Sequence, residues 1–84
     1  YITVCTDVFS SAFAPGVSAP QSLGLDPEVV LPLIKHVLRT RKVRGFDICE
    51  ISPRFDQDNT TANLGAVIIF AVVNTLCRLN DLSI

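Results

Sequence analysis

The sequence predicts an α/β fold with the element order strand, helix, strand, helix. Three observations carry this. Residues 1–6, Tyr-Ile-Thr-Val-Cys-Thr, form a short run rich in β-branched types. Asp26-Pro27-Glu28 is a helix start followed by apolar residues at helical spacing. A second apolar run, Val43 to Ile51, follows that helix and precedes another. Two strands joined through a helix are parallel neighbours or near neighbours in one sheet.

The first strand leads into a long loop, Asp7 to about Leu25, that holds Pro15, Gly16, Pro20 and Gly24. Connections of this length are uncommon in compact domains and are often functional. Asp26 can cap the free amides of the first helix, Pro27 suits its first position, and Glu28 complements its positive end. The helix should run to about Thr40, with Val29, Val30, Leu33, Ile34, Val37 and Leu38 as its apolar stripe. Pro32, inside it, should bend it or weaken a turn. In the second strand Phe46, Ile48, Cys49 and Ile51 are the apolar members, and Pro53 ends it. Thr60 or Thr61 can cap a long helix reaching about Leu79. The middle of that helix, Leu64 to Val73, is apolar on every side, the mark of a buried helix.

Composition bounds the function. The chain has 84 residues, net charge −1 and 49% hydrophobic residues, which is globular and excludes a disordered or nucleic-acid-binding character. Lys35, Arg39, Arg41, Lys42 and Arg44 cluster, but they read as a solvated helix end complementing its dipole. Cys5, Cys49 and Cys77 are an odd set without paired spacing, which fits a reducing, cytoplasmic setting. Cys49 and Cys77 read as buried apolar residues and His36 as an exposed helix residue. The uncharged run from Asn59 to Cys77 is broken by Asn63, Asn74 and Thr75, so no membrane span is expected. The chain opens on Tyr1 and contains no methionine, which predicts an incomplete domain cut from a longer product.

In open α/β sheets ligands bind outside the carboxyl ends of the strands. Asp7 closes the first strand and Glu50 lies near the end of the second. Two carboxylates on one rim, beside a Gly/Pro loop, make a candidate site from the residues alone.

The stretch Thr3-Val4-Cys5-Thr6-Asp7, then Ala14-Pro15-Gly16-Val17-Ser18-Ala19-Pro20 and Gly24, resembles the last metal-binding segment of the arginase/agmatinase/formimidoylglutamase family of ureohydrolases. Gly45-Phe46-Asp47-Ile48-Cys49-Glu50-Ile51-Ser52-Pro53 is similar to a second family strand. Asp56, Thr60 or Thr61 and the apolar helix match its C-terminal helix. The Ala-Pro-Gly-Val-Ser-Ala-Pro wording looks like the formimidoylglutamase branch. The resemblance implies that residues 1–84 are the C-terminal part of a catalytic domain with a three-layer α/β/α parallel sheet, a βαβα piece of an arginase-like fold.

The same resemblance implies hydrolysis of a C–N bond by a pair of Mn(2+) ions that activate a bridging water. For the formimidoylglutamase branch the reaction is N-formimino-L-glutamate plus water to L-glutamate and formamide, in histidine degradation. Asp7 would be a metal ligand and Glu50 a substrate-binding carboxylate aligned on the cationic end. The family's first Asp of an Asp-x-Asp pair is Cys5 here. Manganese prefers oxygen ligands and thiolate is soft. Cys5 thus either gives a different metal affinity, or is not a ligand, or marks a weakened site. The remaining family ligands, a His and an Asp-x-His-x-Asp segment, are not in this sequence, so the 84 residues alone are expected neither to hold the metal pair nor to catalyse.

Two other functions stay open: an agmatinase- or arginase-type ureohydrolase, and a metal-poor, non-catalytic homologue acting in assembly. The expected partners are a small-molecule substrate and, through the apolar helix, further copies of the chain as a homo-oligomer, with no nucleic acid and no membrane.

Overall fold

The computed structural model describes residues 1–81, so the last three residues of the expected 1–84 unit lie outside the described residues. Four main elements follow in the expected order: β1 (Ile2–Cys5), α1 (Pro27–Leu38), β2 (Phe46–Cys49) and α2 (Thr60–Leu79). The strands pair in parallel, with Ile2 opposite Phe46 and Cys5 opposite Cys49. The two helices pack against each other. This is one helical layer on a two-stranded sheet, the βαβα piece that the sequence predicts.

Strand alternation sorts the side chains. Ile2 and Val4 on β1, and Phe46 and Ile48 on β2, face the helices and join a core with Phe9, Ala14, Ile34, Leu38, Ile68 and Val72. Both strands are shorter than the sequence suggests. Thr6 is already in a 3-10 turn, Thr6–Val8. Glu50 has φ 70°, in the left-handed region, and this rather than Pro53 ends β2. Pro53 instead opens a second 3-10 turn, Pro53–Phe55.

The Asp26 carboxylate accepts from the Glu28 amide at 2.8 Å, the cap expected for α1. Only half of the apolar stripe is used. Ile34 and Leu38 are buried, while Val29 and Leu33 are 65% and 59% exposed. Pro32 is accommodated inside α1 on an exposed position.

The loop from Asp7 to Leu25 is folded back on itself rather than structureless. Ser10 N–H donates to the Leu25 carbonyl at 3.0 Å, and Leu25 N–H donates to the Val8 carbonyl at 2.8 Å. Gly24 crosses so close to the Phe9–Ser10 backbone that a Cβ has no room there. Phe9, wholly buried, anchors the fold-back in the core.

A polar node then ties this loop to both neighbours. Gly16 N–H donates to the buried Thr61 hydroxyl at 2.7 Å. The Gly16 carbonyl accepts from the Ser52 amide at 2.7 Å. Asp56 takes the amides at the start of α2, Thr61 at 2.9 Å and Ala62 at 3.1 Å. Neither Thr60 nor Thr61 caps the helix as the sequence suggests: the Thr60 hydroxyl donates to Gln57, and the Thr61 oxygen serves Gly16. Burial alone would raise the Asp56 carboxyl, but the bonds from Thr61, Ala62 and Gln57 outweigh it and hold the group below the usual carboxylate range.

At the far end, the Arg41 guanidinium donates to the Leu79 carbonyl at 2.6 Å, closing the C-terminus of α2 onto the turn after α1. One member of the basic cluster therefore has a structural partner. The helix α2 itself is buried along one row only, Thr61, Gly65, Ile68, Val72 and Thr75. Within this chain it is not the all-round buried helix expected: Val67, Ile69, Phe70 and Val73 are about half exposed or more. It is long and apolar enough, by length and composition, to cross a membrane.

Thr61→Val leaves the buried Gly16 amide without an acceptor and should cost about 1–3 kcal/mol in denaturant unfolding. Gly16→Ala should cost a similar amount, about 1–3 kcal/mol, because the new methyl meets the fixed Asp56 carboxylate. Asp56, with its folded value lowered, contributes stability that is present above its unfolded pKa and lost as pH falls through the folded one. Acid titration of the Asp56→Asn variant should therefore show a flatter stability profile below pH ~4 than the parent.

Candidate functional site

The two strands are parallel, so both carboxyl ends reach one rim. The last rung of the ladder is Cys5 opposite Cys49. Directly beyond it, Thr6 turns inward and its hydroxyl donates to the Cys49 carbonyl at 3.1 Å. Thr6 is fully buried, so this bond pins the 3-10 turn that carries Asp7 to the end of β2. Glu50 comes next on the neighbouring strand. The structure thus brings the three sequence-predicted site residues, Asp7, Cys5 and Glu50, to one rim.

Glu50 is exposed and holds a left-handed backbone at φ 70°. That conformation costs a residue with a Cβ about 1–2 kcal/mol. It turns the chain sharply off the strand and carries Ser52 to the Gly16 carbonyl. Strain held by surrounding bonds is common at functional positions.

Cys49 and Cys77 depart from expectation. Cys49 is exposed and Cys77 half-buried. The reason for Cys49 is the strand alternation: Phe46 and Ile48 take the helix side, which turns Asp47 and Cys49 to the opposite face. There Asp47 accepts from the Thr3 hydroxyl at 3.2 Å. The Cys49 thiol donates to the Cys5 sulfur at 3.7 Å and also lies 3.7 Å from the Val4 carbonyl. This pairing is absent from the sequence reading, although a signal for it existed. Once Asp7 and Glu50 share a rim on parallel strands, the cysteines just before them fall side by side.

The electrostatics of the rim centre on Cys5. Its thiol hydrogen goes to the Asp7 carboxylate, and this, with burial and the Cys49 thiol, pushes its pKa up to about 12. Sulfur is in any case a softer ligand than the carboxylate oxygens that manganese prefers. Among the described residues no three His, Cys, Asp or Glu side chains lie close enough together to hold an ion. One carboxylate and one thiol do not by themselves fit a metal pair, and His36 is exposed on α1. What the rim offers is a hydrogen-bond acceptor at Asp7 and a second negative charge at Glu50.

Residues 1–74 match the Arginase family. Over all 84 residues the chain is 63% identical to a formimidoylglutamase of Clostridium tetani (strain Massachusetts / E88), and spans 25% of that protein. Among solved structures, the formimidoylglutamase of Bacillus subtilis superposes with a TM-score of 0.84 at 27% identity, covering 89% of this chain and 23% of that one. The proclavaminate amidino hydrolase of Streptomyces clavuligerus superposes equally well, with a TM-score of 0.84 at 35% identity, covering 94% of this chain and 26% of that one. The chain thus spans about a quarter of the length of the relatives it matches. With the family model matched over residues 1–74 and the fold shared with these structures, this chain belongs to the arginase family.

Proposed function

We propose that this chain is the C-terminal portion of a formimidoylglutamase-type hydrolase, and that it supplies the last carboxylate ligand and a substrate-binding carboxylate to a site completed by other residues of the whole protein. One observation carries this most: Asp7 and Glu50 stand at the ends of paired parallel strands, fixed to each other by the Thr6–Cys49 bond. The identity to a relative named formimidoylglutamase supports the branch.

In this reading the substrate is N-formimino-L-glutamate and the products are L-glutamate and formamide. Glu50 takes the cationic formimino end in a charge-assisted bond and aligns its carbon for attack. Asp7 serves the metal pair of the whole protein, manganese by preference for oxygen ligands. The remaining ligands come from residues outside this chain, and the 84 residues alone are inactive. The exposed apolar row of α2 is covered in the assembled protein, by its own missing layers and by a second copy in a homo-oligomer. The free thiols suit a cytoplasmic setting.

A second reading, a metal-poor homologue with a role in assembly, is favoured by Cys5, a soft sulfur side chain, at the position of a family carboxylate. Metal analysis of the whole protein separates the two. Two bound ions in the parent support the hydrolase. Ions that bind only after Cys5→Asp support the second reading.

In the whole protein, formamide release should be seen with N-formimino-L-glutamate and not with agmatine or arginine; turnover of either amine at a comparable rate would move the assignment to another ureohydrolase. Asp7→Asn and Glu50→Gln should each lower kcat/KM at least about 100-fold with the fold intact by circular dichroism. Glu50→Gly should lower activity as much, yet leave stability unchanged or raised by up to about 1 kcal/mol, because glycine relieves the left-handed backbone. A loss of stability above that size would show that the Glu50 side chain is structural.

A further inference from the structure

We propose that Cys5 and Cys49 are a redox modification site: a dithiol that closes to a reversible intramolecular disulfide on the rim carrying Asp7 and Glu50. The sulfurs are 3.7 Å apart and already in contact through a thiol hydrogen. They belong to register partners of a parallel ladder. Neighbouring strands lie about 4.7–4.9 Å apart, inside the ~4.4–6.8 Å range of Cα separations that disulfides span. Both side chains lie on the face away from the helices, so no core residue stands between them. Both are the last residues of their strands, where the loops diverge, and Cys49 is exposed. Closure therefore needs side-chain rotation and a small approach of the strand ends, not a rearrangement of the fold. The third cysteine, Cys77, sits on α2 and serves as an internal control.

The chemistry balances with a low-molecular-weight disulfide of the glutathione type as oxidant. The accessible Cys49 sulfur attacks one sulfur of that disulfide, forming a mixed disulfide and releasing one small thiol. The Cys5 sulfur then attacks the Cys49 sulfur, breaking the mixed bond and releasing the second small thiol. The Cys49 proton goes to the first departing small thiolate and the Cys5 proton to the second, directly or through solvent. The protein loses two protons and two electrons, and the oxidant becomes two thiols. A cross-link between adjacent parallel strands sits at the short end of the permitted span, which suits a labile, regulatory bond rather than a structural one.

The modification stands on geometry alone; its effect on catalysis rests on the proposed function. Oxidation locks the two strand ends that position Asp7 and Glu50. An oxidised protein should therefore lose hydrolase activity and regain it with dithiothreitol.

The test uses the full polypeptide that carries these residues. It is incubated with glutathione disulfide, alkylated, digested without reduction and read by mass spectrometry. The expected product is one peptide pair joining Cys5 to Cys49, about 2 Da below the sum of the free thiols, with Cys77 alkylated and the link abolished by dithiothreitol. Cys49→Ser should leave Cys5 alkylatable under the same oxidant. Recovery of Cys5 and Cys49 both alkylated, or of stable glutathione adducts on Cys49 without the cross-link, overturns the proposal. Activity is a separate readout: a protein that forms the link but hydrolyses nothing in either redox state confirms the modification site and counts against the hydrolase assignment.

Discussion

The constraint on which this chain depends is the parallel register that sets Cys5 against Cys49. One rung fixes where both strands stop, and everything chemical lies one or two residues beyond it. A slip by one residue would turn Ile2, Val4, Phe46 and Ile48 away from the helices, so the buried face enforces the register. Thr6 then converts that register into a site by donating to the Cys49 carbonyl. The core and the rim are thus consequences of the same pairing, one on each side of it.

The loop between β1 and α1 is the second half of the design. It is long, yet among the described residues no buried side-chain polar atom is left without a partner. Gly16 offers its amide to Thr61 and its carbonyl to Ser52, and so couples the loop to the start of α2 and to the turn after Glu50. Only a residue without a side chain can sit against Asp56 in that position. The left-handed backbone at Glu50 is held by this coupling, since the Ser52 bond fixes the chain two residues later. Strain at a rim residue and a satisfied buried node next to it are two parts of one arrangement.

Much of this was legible in the sequence, for physical reasons that differ by element. The helices were clear because helical periodicity and the Asp26-Pro27-Glu28 start are local signals. The parallel pairing followed from element order, and the rim carboxylates followed from the pairing. Strand ends were harder. Nothing in the residues from Phe46 to Ile51 announces that Glu50 adopts positive φ, because that choice is made by the Ser52–Gly16 bond across 36 residues of chain. The cap of α2 differs for a similar reason: a threonine before a helix is a good local cap, but Thr61 is taken by a distant glycine and Asp56 replaces it. The apolar character of cysteine predicts burial at Cys49, but the strand phase set by Phe46 and Ile48 turns it outward.

The start of α2 has a further consequence. Helix N-termini commonly attract anions because their first amides are unpartnered. Here the Thr60 amide donates to Gln57, those of Thr61 and Ala62 to the Asp56 carboxylate, and that of Asn63 to Asn59. The positive end of this helix is therefore already neutralised from within. An anionic ligand nearing the rim finds a carboxylate at that helix end instead of free amides, and its recognition falls to side chains elsewhere.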